Sequence, residues 1–586
     1  MELSHRVATI PASGSRSKDS GAVVAPRASS VRAGELMLGQ GGNAVDAAVA
    51  AALVAGVVEP TETTLAGSGF MLVGNGQGEV RSIEFGPRAP QRASEAMFRI
   101  EGDGQASRVL GLASVEGNAN IDGPLASGVP RTIAGLLCAH ERFGRLPRRT
   151  VMDPAIRAAE EGFPADAWFV MNALNDLERL RADPGARAVF LDDDGLPRGR
   201  SRQSFYGYSV DTPEPVRQPV LAQTLDRLAD EGAEAVTSGP LAQALVETYR
   251  EYGMLLSGED LARSAPEILE PRSLRYRDAR IHVPVAPGGG VTELQILKIW
   301  QRSFPGGSPR DESGARIRRL ALAMKHAFAD RYHWLGDPDR VPVPVDELLS
   351  DEYAGRIAQA CGALTVPESF GDGSAPWSHF SRHALHRPTE DTDRAPLWRP
   401  GEATAPTTGT THITTADSEG RFVSVTHTAA NHFGSGVLCP RTGLLFDSAM
   451  AWFNAVPGSA NSIGPGARPL ANMGPVLATG PRGTLAAAGA SGGRRIVGAV
   501  AQVVINLLDR GMSPLDALRA PRIDASGPQL LLHEHLAEFA SEVSDLAPVI
   551  VPAASNYFAM DFARANLVGR HDGGFESAID AQAHSL

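Results

Sequence analysis

Thr410 is the residue around which this sequence could do chemistry. It opens the run 409–436, GTTHITTADSEGRFVSVTHTAANHFGSG, and follows a proline- and threonine-rich stretch, 386–409, that has no periodicity and reads as a flexible linker. A threonine at such a junction can cut its own chain. Its hydroxyl attacks the carbonyl of Gly409, an N-to-O acyl shift gives an ester, and water releases it. The freed Thr410 then carries an α-amine beside its hydroxyl, so nucleophile and base sit on one residue. An ordinary surface hairpin of β-forming residues fits the same run, and the motif alone leaves both readings open.

The elements that would position Thr410 follow from local patterning. Alternation starting at Thr410 and again over 422–428, divided by Ser418-Glu419-Gly420, predicts two strands joined by a turn. Upstream, helices are expected over 29–38 and 43–57, separated by Gly41-Gly42, with Asn43 as N-cap. The second is almost wholly apolar apart from Asp46 and should be buried. Strands over 67–73 and 80–85 pair across the turn at 74–78. Helices are expected over 154–161, 165–182, 220–231, 241–252 and 316–334. The turn Pro287-Gly288-Gly289-Gly290 leads into a helix from about 292; lacking a Gly-Lys-Ser/Thr or GxGxxG pattern, it reads as a packing turn. Further strands are expected over 281–285, 443–446 and 485–488. The last ends at Gly492-Gly493, ahead of a helix over 496–508, and Ser513-Pro514 starts another helix.

Several segments, in order along the chain, resemble the γ-glutamyltransferase (γ-glutamyltranspeptidase) family of N-terminal-nucleophile hydrolases. They are GGNAVDAAVA at 41–50, LAGSGFMLV at 65–73, SGVPRTIAGL at 127–136, DRYHWLGDPD at 330–339, TTH at 410–412, FGSG at 433–436, ARPLANMGP at 467–475 and ASGGRRI at 490–496. The resemblance implies a four-layer αββα sandwich of mixed α and β structure, autoprocessed into two chains. The expected organisation is a disordered N-terminus (1–21), a large subunit (22–385), the linker (386–409) and a small subunit (410–586). By the same resemblance, cleavage falls between Gly409 and Thr410, Thr410 is the nucleophile, and Thr428 orients its hydroxyl. Gly492 and Gly493 then supply the oxyanion-hole amides, a task glycines suit because no side chain intervenes.

The pocket departs from the family pattern. Where true γ-glutamyl enzymes carry an arginine for the α-carboxylate, this sequence has Gly86. The amine-binding positions are Ala430, Ala449 and Trp452, and the paired serines are replaced by Ala471 and Asn472. A zwitterionic head group left without partners costs several kcal/mol to bury. The expected pocket is roomier and more apolar, with Asn431, His432, Asn472 and Arg88 as remaining polar contacts, and the short loop 454–468 suggests an open site. The resemblance therefore implies hydrolysis of a non-glutamyl substrate through an acyl-Thr410 ester. The preferred form is a C–C bond hydrolase like those of alkylproline antibiotic pathways. A genuine γ-glutamyltransferase, an amide acylase and a non-catalytic homologue are the alternatives.

Composition narrows the partners. The 586 residues are 43% hydrophobic and 21% charged, with a net charge of −12, which gives no electrostatic reason to expect nucleic acid or an anionic membrane. Cys138, Cys361 and Cys439 form neither a disulfide framework nor metal-ligand spacing, and no metal or cofactor is expected. With no apolar leader core and no uncharged run of membrane-spanning length, the expectation is a cytoplasmic enzyme acting on a small molecule.

Overall fold

A helix that is apolar but for one residue, Asp46, needs cover on every side, and Ala44–Val58 has it: all its residues except Gly56 are buried. Its start is fixed locally. The Asn43 side chain accepts from the backbone of Val45 (2.9 Å) and Asp46 (3.2 Å), and Asp46 returns a bond to the Asn43 N–H at 2.8 Å. This reciprocal cap satisfies amides that the helix cannot pair internally. One side of the helix lies on a six-stranded sheet, where the Thr415 hydroxyl donates to the Ala44 carbonyl at 2.7 Å.

In this computed structural model, which describes residues 12–17, 21–101, 112–199, 214–285, 287–362, 409–527, 529–552 and 562–580, two sheets stack face to face. The first has the order β2 (Ala22–Val24), β8 (Thr411–Ala416), β9 (Phe422–Thr428), β3 (Ser68–Gly74), β4 (Val80–Phe85), β5 (Glu267–Leu269). The second runs β1 (Ala12–Ser17), β16 (Gly574–Asp580), β15 (Arg564–His571), β11 (Gly483–Ser491), β10 (Val476–Gly480), β7 (Ala279–Val283), β6 (Arg272–Tyr276). Every pairing within both is antiparallel. A small third sheet joins β12 (Ile523–Asp524), β13 (Leu530–His533) and β14 (Pro548–Val551).

Helices Ala44–Val58 and Thr132–Phe143 cover the outer face of the first sheet, and Gly290–Ser303 and Arg495–Leu508 that of the second. Each helix layer buries its own large apolar core, and Leu72, Phe422, Leu477 and Val568 fill the space between the sheets. This is the expected four-layer αββα sandwich.

Where the sheets meet, Gly489 of β11 leaves room for the His412 ring. A Cβ there would lie 2.1 Å from the imidazole Cε1, and the ring cannot swing away without breaking its 2.7 Å bond from Nδ1 to the Thr426 hydroxyl. Gly489→Ala is therefore expected to cost about 3 kcal/mol or more, at the top of the overpacking range. Thermal denaturation would show it as a clear drop in Tm. Gly355→Ala, with nothing within 4 Å of the added carbon, is the control and should be neutral or slightly stabilising.

Three expectations are corrected. Residues 12–17, expected to be disordered, form edge strand β1, whose Ala12 pairs with Asp580; backbone pairing holds a segment that has no apolar pattern of its own. The helix expected over 165–182 is two, Ala167–Asn175 and Leu177–Ala182, broken at Asp176. The strand expected over 443–446 makes only single bridges, Leu445 to Leu438 and Phe446 to Ala66. Most of the predicted linker lies outside the described residues, which resume at Gly409. No helix among the described residues is long and apolar enough to cross a membrane.

Candidate active site

The register of the β8–β9 hairpin brings two hydroxyls together. Thr411 pairs with His427 and His412 with Thr426, so Thr410, one residue earlier, stands level with Thr428. Alternation then points Thr410 and Thr428 to the side that also carries His412 and Thr426. Their Oγ1 atoms are 3.2 Å apart, and each donates to the Gly409 carbonyl oxygen at 2.7 Å. Thr428 Oγ1 also accepts from the Ala430 N–H at 2.8 Å. Gly409 is a steric requirement here, since a Cβ would lie 2.2 Å from the Thr61 carbonyl oxygen.

A carbonyl oxygen held by two hydroxyls is polarised for addition at its carbon, and one of those hydroxyls belongs to the adjoining threonine. Removing one such bond is expected to cost roughly 1–3 kcal/mol. Thr428→Ala should therefore slow both chain cleavage and turnover by about ten- to a hundredfold, with the fold retained by circular dichroism.

The other side of Thr410 is held by a carboxyl group that the sequence motifs did not single out. Glu62 Oε2 accepts the Thr410 N–H at 3.1 Å, and Oε1 accepts from Trp168 Nε1 at 2.9 Å. The Arg564 guanidinium lies over the Trp168 ring, 5.1 Å from its centroid. Burial pushes Glu62 up to about 7, against the opposing pull of these hydrogen bonds and of Arg564 and Arg27. Glu59 takes the Thr411 hydroxyl at 3.1 Å and is likewise pushed up to about 7 by burial. The signal was present in the sequence: two acidic residues just past the C-terminal end of an apolar helix sit where the helix dipole disfavours negative charge.

Gly492 and Gly493 close strand β11 with φ of 130° and 62°, conformations open to glycine, and a Cβ on Gly492 would meet Ala563 Cα at 2.8 Å. Ser491, just before them, pairs with Arg564 on β15, and Gly489 abuts His412. Both contacts put the glycine pair at the end of the sandwich that holds Thr410.

Beyond Thr428 the chain enters an apolar cluster. Ala430, Ala449, Trp452 and Ala471 come together there with Phe70 and Met473, all buried. Ala430 adopts φ of 71°, a left-handed conformation that costs an alanine about 1–2 kcal/mol. The Ala430 N–H reaches Thr428 from that conformation. Asp447 accepts from the N–H groups of Gly128 (2.8 Å) and Ala449 (3.3 Å), and burial pushes it up to about 7.

The polar residues expected in the pocket are placed differently. The Arg88 side chain is paired with Glu267 at 2.9 Å, in a narrow crevice lined by Phe70, Gly86 and Arg131. His432 packs edge-on against Trp168 and is pushed down to about 3 by burial, which keeps it neutral. Asn472 Oδ1 accepts from the buried Arg331 at 3.1 Å, while its Nδ2 and Asn431 Oδ1 are buried without partners among the described residues. Both amides thus keep unengaged groups beside the alanines, and His432 Nε2 and Arg88 Nε are likewise buried without hydrogen-bond partners among the described residues.

The family model for γ-glutamyltranspeptidase matches residues 30–547. The chain belongs to the γ-glutamyltranspeptidase family. Among curated relatives, the Acylase ACY 1 proenzyme of Pseudomonas sp. (strain SE83) is 32% identical over 533 residues, 91% of this chain and 86% of the relative. The glutathione hydrolase proenzyme of Escherichia coli (strain K12) is 30% identical over 520 residues, 86% and 80% respectively. The crystal structure of cephalosporin acylase from Bacillus halodurans superposes with a TM-score of 0.76 at 24% identity, covering 100% of this chain and 97% of that one. The last comparison bears on the fold alone. Within the γ-glutamyltranspeptidase family the chain is thus about equally similar to a glutathione hydrolase and an acylase, and overall similarity does not choose between their substrates.

Proposed function

We propose that this protein is a self-cleaving threonine hydrolase whose substrate is not a γ-glutamyl compound. The chain cuts between Gly409 and Thr410, and Thr410 then takes an acyl group as an ester that water releases. The observation that carries this reading is the apolar cluster of Ala430, Ala449, Trp452 and Ala471 next to the Thr410–Thr428 hydroxyl pair. An acyl group held on Thr410 would meet apolar neighbours on that side, which suits a neutral or singly charged group, whereas an amino acid head group would be buried without counter-charges. Thr428 orients the hydroxyl, and the amides of Gly492 and Gly493 receive the oxyanion.

The same acyl-ester chemistry serves two leaving groups. Cleavage of a C–C bond next to a carbonyl, as in secondary-metabolite assembly, fits an apolar pocket because a conjugated carbon leaving group needs no charged clamp. Amide cleavage is the second reading, favoured by the relative named as an acylase. The test uses protein shown by gel and N-terminal sequencing to have a fragment beginning at Thr410. It is incubated with apolar acyl amides and with enone-conjugated acyl substrates, and acylated Thr410 is sought by peptide mass. An acyl adduct on Thr410 from either class supports the reading. A chain that stays whole yet turns over would overturn it.

A further inference from the structure

The machinery described so far leaves the Thr410 nitrogen without a proton donor. Breaking the Gly409–Thr410 bond expels that nitrogen as an amine, and a nitrogen leaving without a proton is a poor leaving group. We propose that Glu62 hands a proton to the Thr410 nitrogen as the peptide bond breaks and afterwards holds the new α-amino group in place. The proposal rests on the reading of Thr410 as the self-cleaving residue.

The geometry is specific. Glu62 is 6% exposed, and Oε2 stands 3.1 Å from the Thr410 nitrogen. Trp168 Nε1–H is a donor only, so Oε1, at 2.9 Å from it, must accept. Oε2 accepts as well, from the Thr410 N–H, and a carboxyl hydroxyl oxygen keeps that capacity, so a proton carried on Oε2 lies on the oxygen facing Thr410. While the peptide is planar, its nitrogen has no lone pair to offer and donates to Oε2. Once Oγ1 adds to the Gly409 carbon, amide resonance is lost and the nitrogen becomes basic. The same contact then runs in the opposite sense.

The step balances as an isomerisation. The Oγ1–C bond forms, and the hydroxyl proton passes to the former carbonyl oxygen. The C–N bond breaks as Glu62 protonates nitrogen. As the carbonyl re-forms, the proton on its oxygen returns through water to Glu62, leaving an ester, a free amine and a neutral carboxyl group.

Burial supports this by pushing Glu62 up to about 7, so that the acid form is available. The charged groups around it are Arg564 on β15, Arg27 before the first helix, and Glu59, with Asp166 paired to Arg27. His432, packed edge-on against Trp168, stays neutral. Since the acid form is the active one, cleavage should be fast below the Glu62 value and fall as pH rises through it, by about tenfold per unit.

The experiment captures precursor by pulse-labelling in cell-free translation, exchanges it into buffers on either side of pH 7, and follows two-fragment formation on gels. Wild type should show the fall with rising pH. Glu62→Gln, with an unchanged melting profile, should cleave about a hundredfold or more slowly, with a flat pH response. Glu62→Asp, which keeps an acid, should cleave faster than Glu62→Gln and shift the midpoint; it decides the matter with the wild-type profile if the glutamine variant does not fold. Wild type that cleaves without pH dependence around 7, or Glu62→Gln that keeps the wild-type profile, overturns the role of Glu62 and leaves the reading of Thr410 standing. Wild type that never cleaves overturns both.

Discussion

Thr410→Ala is expected to remain a single chain of 586 residues and to lose turnover by a factor on the order of 10⁶, the loss seen when the nucleophile of a cooperating catalytic group is removed. The size follows from the geometry. The Thr410 hydroxyl is both the donor to the Gly409 carbonyl, at 2.7 Å, and the partner of Thr428, at 3.2 Å. Deleting it removes the attacking atom of self-cleavage and, in the processed enzyme, the atom that carries the acyl group. Thr428 cannot take over the N-to-O shift, because although it holds the Gly409 carbonyl at 2.7 Å, the nitrogen of that peptide bond belongs to residue 410. Thr410→Ser keeps the hydroxyl and should still cleave, which separates loss of the nucleophile from loss of packing. Intact-mass analysis reads both variants directly. A Thr410→Ala protein that splits at residue 409 and turns over would show that another group does the chemistry.

How much of this was legible in the sequence depended on whether a pattern carried its own cause. The cap at Asn43, the buried helix after it and the hairpin around Thr410 were readable because each is set by neighbouring residues. The level placement of Thr410 with Thr428 follows from the hairpin alone. Strand β1 was not readable, because Ala12–Ser17 is small and polar and is held by pairing with a strand more than five hundred residues later. Residues 443–446 look like a strand because they are apolar, but they bridge two neighbours singly and serve the core. Arg88 looked available because charge was counted without its partner Glu267, which lies 179 positions away. Glu62 carried only a local signal, its place past the C-terminal end of an apolar helix, and its role depends on a fold that brings Trp168 and Thr410 to its two oxygens. The four alanine and tryptophan positions were found through the resemblance, and the structure gathers them into one cluster.

That cluster sets the second large effect: γ-glutamyl donors are expected to be turned over at least about a thousandfold less efficiently than a matched apolar acyl substrate. A hydrogen bond to a charged group is worth about 1.5–3 kcal/mol, and each step of about 1.36 kcal/mol is a factor of ten in rate. Gly86, Ala430, Ala449 and Ala471 each lack a side chain able to hydrogen-bond a charged atom of glutamate, and Trp452 brings no counter-charge. Even with coupling that makes the losses less than additive, two or three of them suffice for that ratio. Nor is the arginine position a single substitution away from repair. A Cβ at Gly86 would lie 2.6 Å from the Phe70 ring, and Phe70 is buried as part of the same apolar cluster. Arg88 cannot substitute, since its guanidinium is committed to Glu267 at 2.9 Å. Gly86→Arg should therefore lower stability without conferring γ-glutamyl turnover. The measurement compares kcat/KM for a chromogenic γ-glutamyl anilide and for glutathione with that for neutral acyl anilides and enone-conjugated acyl substrates, on protein already cleaved at residue 409. Efficient, saturable γ-glutamyl transfer to a dipeptide acceptor would mean that the glutamate head group finds its counter-charges elsewhere, and the apolar reading of the pocket would fall.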